Sequence, residues 1–223
     1  MRLVCISDTH NLHSAVDLPD GDVLVHAGDF TNDGLYSEVR SFLTWLGEVA
    51  PRYRHTVLCA GNHDFLFQRS PEVTGALLEE CAPGVIYLQD EAVEIDGVRF
   101  YGSPQTPWFY GAFNVHRGEA IRRYWDRIPE HTDVLITHSP PFGILDQATA
   151  SGPHLGCEEM RTRVGTLPQV QVHIFGHIHG GHGVLARDGV TYINASICDE
   201  EYRTTNSALI HEIQARAASH FSS

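Results

Sequence analysis

Long apolar runs, paired cysteines and basic stretches are all scarce in this chain. No segment approaches the ~18–20 consecutive apolar residues that carry a helix across a bilayer, so a membrane span is not expected. The opening Met1-Arg2-Leu3-Val4-Cys5-Ile6-Ser7-Asp8 reaches a carboxylate after one short apolar run and lacks the hydrophobic region of a secretory signal. The five cysteines, Cys5, Cys59, Cys81, Cys157 and Cys198, are odd in number and form no C-x-x-C pair. That argues against a disulfide framework and against a thiolate zinc site. A reduced, cytoplasmic setting is the simplest expectation. Arginine and lysine together number 15 against 28 acids, a formal net charge of −13. Electrostatic binding to duplex DNA or to an anionic membrane is therefore disfavoured.

What stands in excess is histidine, 15 in 223 residues. Imidazole is the commonest protein metal ligand and titrates near neutral pH. The length and the 42% hydrophobic content suit one α/β domain with a substantial core, expected over residues 1–215, with a frayed tail over 216–223. Apolar, partly β-branched runs at 3–6, 23–27, 56–60, 132–137 and 170–175 read as strands. Residues 35–49 repeat at helical spacing and Pro51 closes them; further helices are expected at 117–127 and 158–164. Asp96-Gly97 and Arg187-Asp188-Gly189 mark hairpins, and 207–213 reads as a last strand. Continuous apolar strands separated by a helix suggest a sheet covered on both faces. The segment 103–113, rich in proline, glycine and aromatics, has no period and reads as an ordered loop. Its Trp108-Phe109-Tyr110 admits two readings. The favoured one is a hydrophobic plug between helix and sheet; the other is a face on which a nucleobase stacks.

Five of the strands end alike, in Asp8-Thr9-His10, Gly28-Asp29, Gly61-Asn62-His63-Asp64, Thr137-His138 and Gly176-His177-Ile178-His179. Ligands of open α/β sheets bind at the carboxyl ends of strands, so these groups converge if the strands share a sheet. Alternation puts His177 and His179 on one side of an extended segment. Carboxylate and amide oxygens with imidazole nitrogens suit divalent first-row metals. Taken singly, each block is an ordinary turn or loop; five in a row are not explained that way.

In this order the blocks, with Gly34 after Asp29, resemble the calcineurin-like metallophosphoesterase superfamily, over about residues 3–195. Cys5 to His10, Gly102 through Thr106-Pro107-Trp108-Phe109, Thr137-His138-Ser139-Pro140-Pro141 and Tyr192-Ile193-Asn194-Ala195-Ser196 resemble its metallophosphoesterase-domain-containing branch. The resemblance implies two facing mixed β-sheets flanked by helices, with a dinuclear metal site at the strand C-terminal ends. Carried over by position, Asp8, His10 and His179 would bind one divalent ion. Asn62, His138 and His177 would bind the second, and Asp29 would bridge the two. The ions' identity (Mn, Fe, Zn, Co or Ni) stays open. The implied activity is metal-dependent hydrolysis of a phosphoric ester, by a hydroxide bridging the ions. His63 would protonate or hydrogen-bond the leaving oxygen, and Asp64 would orient His63 from behind. The substrate this implies is a small phosphodiester such as a 2′,3′- or 3′,5′-cyclic nucleotide. The alternatives are a phosphomonoester or phosphoprotein at the same site, or a non-catalytic module of the same fold. Asn11, Asn32, His13 and His182 are further candidates to line the site. His26 is expected in the core; His55, His116, His131, His211 and His220 are expected at the surface.

Overall fold

The computed structural model describes residues 1–214, so the tail expected at 216–223 lies outside the described residues. The first half runs β1 (Arg2–Ile6), β2 (Val23–His26), α1 (Tyr36–Val49), β3 (His55–Leu58), α2 (Phe65–Arg69), α3 (Pro71–Cys81), β4 (Ile86–Tyr87), β5 (Glu91–Ile95) and β6 (Val98–Ser103). There follow β7 (Thr106–Pro107), β8 (Asn114–Val115), α4 (Glu119–Trp125), β9 (Val134–Thr137) and α5 (Glu158–Val164). The last elements are β10 (Val172–Phe175), β11 (Gly183–Arg187), β12 (Val190–Asn194) and β13 (Leu209–Glu212).

These strands form two mixed sheets and a small ribbon. One sheet has the order β13-β1-β2-β3-β4, parallel except for β13. The other has the order β11-β12-β10-β9-β6-β5, parallel in the middle with antiparallel β11 and β5 at its edges. Strand alternation explains how they stack. Leu3, Cys5, Val23, Val25 and Val57 of the first sheet pack against Phe100, Val134, Ile136, Val172 and Ile174 of the second. The residues between them, Val4, Ile6, Leu24 and Leu58, face the other way and meet Val39, Phe42, Leu43 and Leu46 of α1. On the far side Leu135, Phe175 and Tyr192 meet Ile121 and Trp125 of α4 and Met160 and Val164 of α5. The central strands are apolar throughout because both of their faces are covered. Each fully buried aliphatic or aromatic side chain contributes on the order of 1.5–3 kcal/mol.

The two facing mixed sheets implied by the resemblance are present, and two features go beyond the sequence reading. The five polar strand ends do not share a sheet: β1, β2 and β3 belong to one, β9 and β10 to the other. They meet because the sheets are packed face to face and joined at this end, where Ser7 pairs with Ser196 and the Ile197 N–H donates to the Ser7 carbonyl at 2.8 Å. Helix α3 has no counterpart among the sequence expectations. Only Thr74 and Leu77 of it are buried, so its apolar stripe is too narrow to stand out from the sequence. No described helix is long and apolar enough to cross a membrane.

Candidate metal centre

Each candidate ligand sits on the turn that ends a strand. The ligand atoms of Asp8, His10 and His179 lie within 4.8 Å of one another, and so do those of Asp29, His138 and His177. Asp8, His10, Asp29 and His177 all have φ between 41° and 68°, a conformation that residues other than glycine rarely adopt. Such turns persist where the surroundings over-determine them, typically at functional sites. The glycines beside them leave the room. A Cβ on Gly61 would come 2.3 Å from Asp29 Oδ1, and one on Gly176 would come 1.9 Å from Asp8 Oδ2.

The hydrogen bonds show what the two groups want. His138 Nδ1 donates to the Ala27 carbonyl at 3.0 Å, so its Nε2 carries the lone pair of the neutral ring. That Nε2 faces Asn62 Oδ1 at 3.0 Å and Asp29 Oδ2 at 3.1 Å, both acceptors. His179 repeats the pattern. Its Nδ1 donates to the Asp199 carbonyl at 2.9 Å, and its Nε2 faces His10 Nε2 at 3.3 Å and Asp8 Oδ1 at 3.4 Å. Acceptors converging on acceptors require a positive charge between them, either a proton or a cation. Burial lowers the pKa of both rings, but the facing carboxylates outweigh it and hold His138 and His179 up to about 9. Burial also opposes ionisation of Asp8 and Asp29, yet His179 and His138 respectively hold these carboxyls below their ordinary range. For His10 and His177 burial wins, and both are pushed down to about 4. Asp29 acts on both groups, since its charge raises His10 in one and His138 in the other. Two clusters of oxygen and imidazole donors, each with an unmet need for positive charge, fit two divalent first-row ions.

Neighbouring groups orient the ligands. Ser196 Oγ donates to Asp8 Oδ2 at 2.8 Å, and the His177 N–H donates to the same carboxylate at 3.0 Å. The His63 N–H donates to Asp29 Oδ1 at 2.7 Å. Asp64 is not where the sequence reading puts it. Its buried carboxylate accepts from the Gly61, Asp29 and Thr31 N–H groups at 2.7, 2.9 and 3.1 Å, and from Thr31 Oγ1 at 2.7 Å. It knits two ligand turns together and leaves His63 to another partner, the Asn32 carbonyl, 2.6 Å from His63 Nδ1. Burial and the Asp29 charge push Asp64 up to about 8 against the pull of those donors.

Other candidates are sorted by their contacts. Asn11 Nδ2 donates to Glu38 Oε1, so Asn11 braces the start of α1. His13 is buried against Phe42 and Trp45, and neither it nor His182 lines the pocket over the ligands. His26 is a core histidine with both ring nitrogens engaged, by Thr9 Oγ1 and the Gly28 N–H. His116 stacks on Trp108 with centroids 5.0 Å apart. His220 lies outside the described residues.

Above the ligands opens a pocket of about 270 Å³. His10, Asp29, Asn62, His177, His179 and His63 form its floor, while Trp108, Phe109, Arg117, Glu200 and Tyr202 stand on its walls. The hydrophobic-plug reading of the aromatic loop is overturned. Trp108, Phe109 and Tyr110 are 59%, 80% and 77% exposed. The core place is taken instead by Ala112 and Phe113, both buried. The β7–β8 ribbon and a close approach to Asn62 set this arrangement: the Ala112 N–H donates to the Asn62 carbonyl at 2.8 Å. Gly111, at φ +130°, is the residue that lets the chain pass so near, because a Cβ there would come 2.5 Å from that carbonyl oxygen. Glu200 and Tyr202 escape the sequence reading because they arrive on an irregular segment with no period; Arg117, expected at the start of a helix over 117–127, lies in the turn before α4. Tyr202 sets its ring against His10 and His179, with centroids at 4.6 and 5.3 Å.

With this geometry in hand, comparison with known proteins is direct. Residues 1–181 match the sequence family described as calcineurin-like phosphoesterase. Human metallophosphoesterase domain-containing protein 1 is 41% identical over 236 residues, covering 95% of this chain and 71% of the relative. A UPF0046 protein of Caenorhabditis elegans is 40% identical over 210 residues, covering 90% of this chain and 71% of the relative. Among solved structures, TT1561 of Thermus thermophilus is similar with a TM-score of 0.61 at 12% identity, over 86% of this chain and 88% of that one. That last likeness is one of fold.

Proposed function

The chain belongs to the calcineurin-like phosphoesterase family, and from that premise we propose that it is a metal-dependent phosphodiesterase acting on small phosphodiesters, with 2′,3′- or 3′,5′-cyclic nucleotides the favoured class. Asp8, His10 and His179 would hold one divalent ion, and Asn62, His138 and His177 the other, with Asp29 shared. When bound, such a pair supplies Lewis acidity at the phosphoryl oxygens and lowers the pKa of a water between them.

The chain's own residues supply the rest. His63 reaches the pocket with Nδ1 committed to the Asn32 carbonyl, which leaves Nε2 as the atom that gives a proton to the leaving oxygen. Ser196 and the His177 N–H fix the Asp8 carboxylate before any substrate arrives. The reading extends to a reducing cytoplasm, in keeping with five free thiols.

One observation carries the substrate class: Trp108 and Phe109, exposed to solvent, wall the same pocket as the ligands. A flat apolar surface beside an anion-binding centre suits a base joined to a phosphate, and stacking is worth ~1–3 kcal/mol per base. The test uses protein stripped of metal and reloaded with each candidate ion. It compares cyclic nucleotides, bis-p-nitrophenyl phosphate and p-nitrophenyl phosphate. Trp108→Ala is expected to raise KM for the nucleotides, leave bis-p-nitrophenyl phosphate nearly untouched and keep the melting temperature. A preference for the monoester, or an equal loss on both diesters, would refute the assignment.

A further inference from the structure

Resting on that reading, we infer that Glu200 is a specificity-determining residue of the pocket, whose carboxylate disfavours doubly charged phosphomonoesters relative to singly charged phosphodiesters.

Glu200 stands on the pocket wall beside His179, where its Oε1 accepts from the Gly180 N–H at 2.7 Å. It is one of three consecutive acids, and the other two share one guanidinium. Arg203 binds Asp199 at 2.7 Å and also pairs with Glu201. Among the described residues no cation pairs with Glu200. The chain contains no lysine, so apart from the metal-ligand groups only a guanidinium could balance it. The pocket's one guanidinium, Arg117, is already committed to Glu158 and to the Leu155 and Gly156 carbonyls at 3.0 and 2.8 Å. Apart from the metal-ligand groups, the wall therefore carries one uncompensated negative charge.

Coulomb energy scales with the product of the charges. A phosphomonoester, with a second pKa near 6, is a dianion above neutrality and feels Glu200 twice as strongly as a diester, which has no second proton to lose. The ions still attract both substrates; Glu200 changes the ratio between them.

Glu200→Gln tests this, because the amide oxygen still accepts from Gly180 while the charge is gone. The metal-loaded protein is titrated calorimetrically at about pH 8 with inorganic phosphate, a dianion there, and with dimethyl phosphate, a monoanion. Removing one charge at a solvent-facing wall is expected to tighten phosphate over dimethyl phosphate by on the order of 3–10-fold. The ratio of kcat/KM for p-nitrophenyl phosphate to that for bis-p-nitrophenyl phosphate should rise in step. Glu200→Ala should move both ratios the same way, and Glu201→Gln, on the same loop but outside the pocket, should move neither. If both anions tighten equally, or neither does, Glu200 merely buttresses Gly180 and the inference fails. A wild-type enzyme that cleaves neither ester sinks the phosphodiesterase reading instead, and the binding contrast still decides the role of Glu200.

Discussion

His63 Nδ1 lies 2.6 Å from the main-chain carbonyl oxygen of Asn32. A carbonyl only accepts, so Nδ1 carries hydrogen in either charge state and proton exchange falls to Nε2. Metal retention should not depend on this ring, because the contact to Asp29 Oδ1 comes from the His63 backbone N–H, which survives truncation. His63→Ala is therefore expected to keep both ions by elemental analysis and to lose on the order of 10²–10⁴ in rate. The loss should be greatest for alkoxide leaving groups and smallest for p-nitrophenolate. Equal deficits across leaving groups would remove His63 from the role of acid.

Asp64 should behave quite differently. Replacing it by alanine leaves the Gly61, Asp29 and Thr31 N–H groups without their acceptor. Buried donors orphaned in this way cost ~1–3 kcal/mol each, so Asp64→Ala should show a large fall in melting temperature and weakened metal retention. Its residual activity should show no leaving-group dependence beyond the wild type's. A leaving-group profile like that of His63→Ala would restore Asp64 as the partner of His63.

The metal-free protein should have a stability optimum bounded by its own histidines. His138 and His179 are raised from 6.5 to about 9, so the stabilisation they lend is fully present below about 6.5 and is lost as pH rises through 9. His10 and His177 are lowered to about 4; unfolding lets them take protons, so they cost stability as pH falls from 6.5 towards 4. Metal binding must expel the protons held by His138 and His179. Calorimetry in buffers of differing ionisation enthalpy should show proton release at neutral pH that fades above about 9. Release that stays constant through that range would mean these rings are neutral before the metal arrives.

Much of the centre can be read from the chain because each ligand is tied to an obvious local signal. An apolar strand stops, a glycine makes room, and an oxygen or imidazole follows, as at Gly28-Asp29 and Gly176-His177. The walls cannot be read so. Trp108-Phe109-Tyr110 reads as core because aromatic residues usually bury; what exposes them is a backbone contact between Ala112 and Asn62, 50 residues apart and invisible to local pattern. Asp64 misleads for a related reason, since adjacency in sequence to His63 says nothing about where a buried carboxylate finds its donors. Tyr202 and Glu200 follow no period, and only the folded loop brings them against His179.

The dependence of the centre on both sheets also sets its timing during synthesis. His10 and His179 face one another across the first ligand group, yet they are 169 positions apart in the chain. At ~5–20 residues per second, roughly 10–30 s pass between their exits from the ribosome. Through that interval Asp8, His10 and Asp29 are loose ligands without a cage. Ion uptake therefore waits until His177 and His179 have emerged, and the pool of free ions met from then on decides which metal is first acquired.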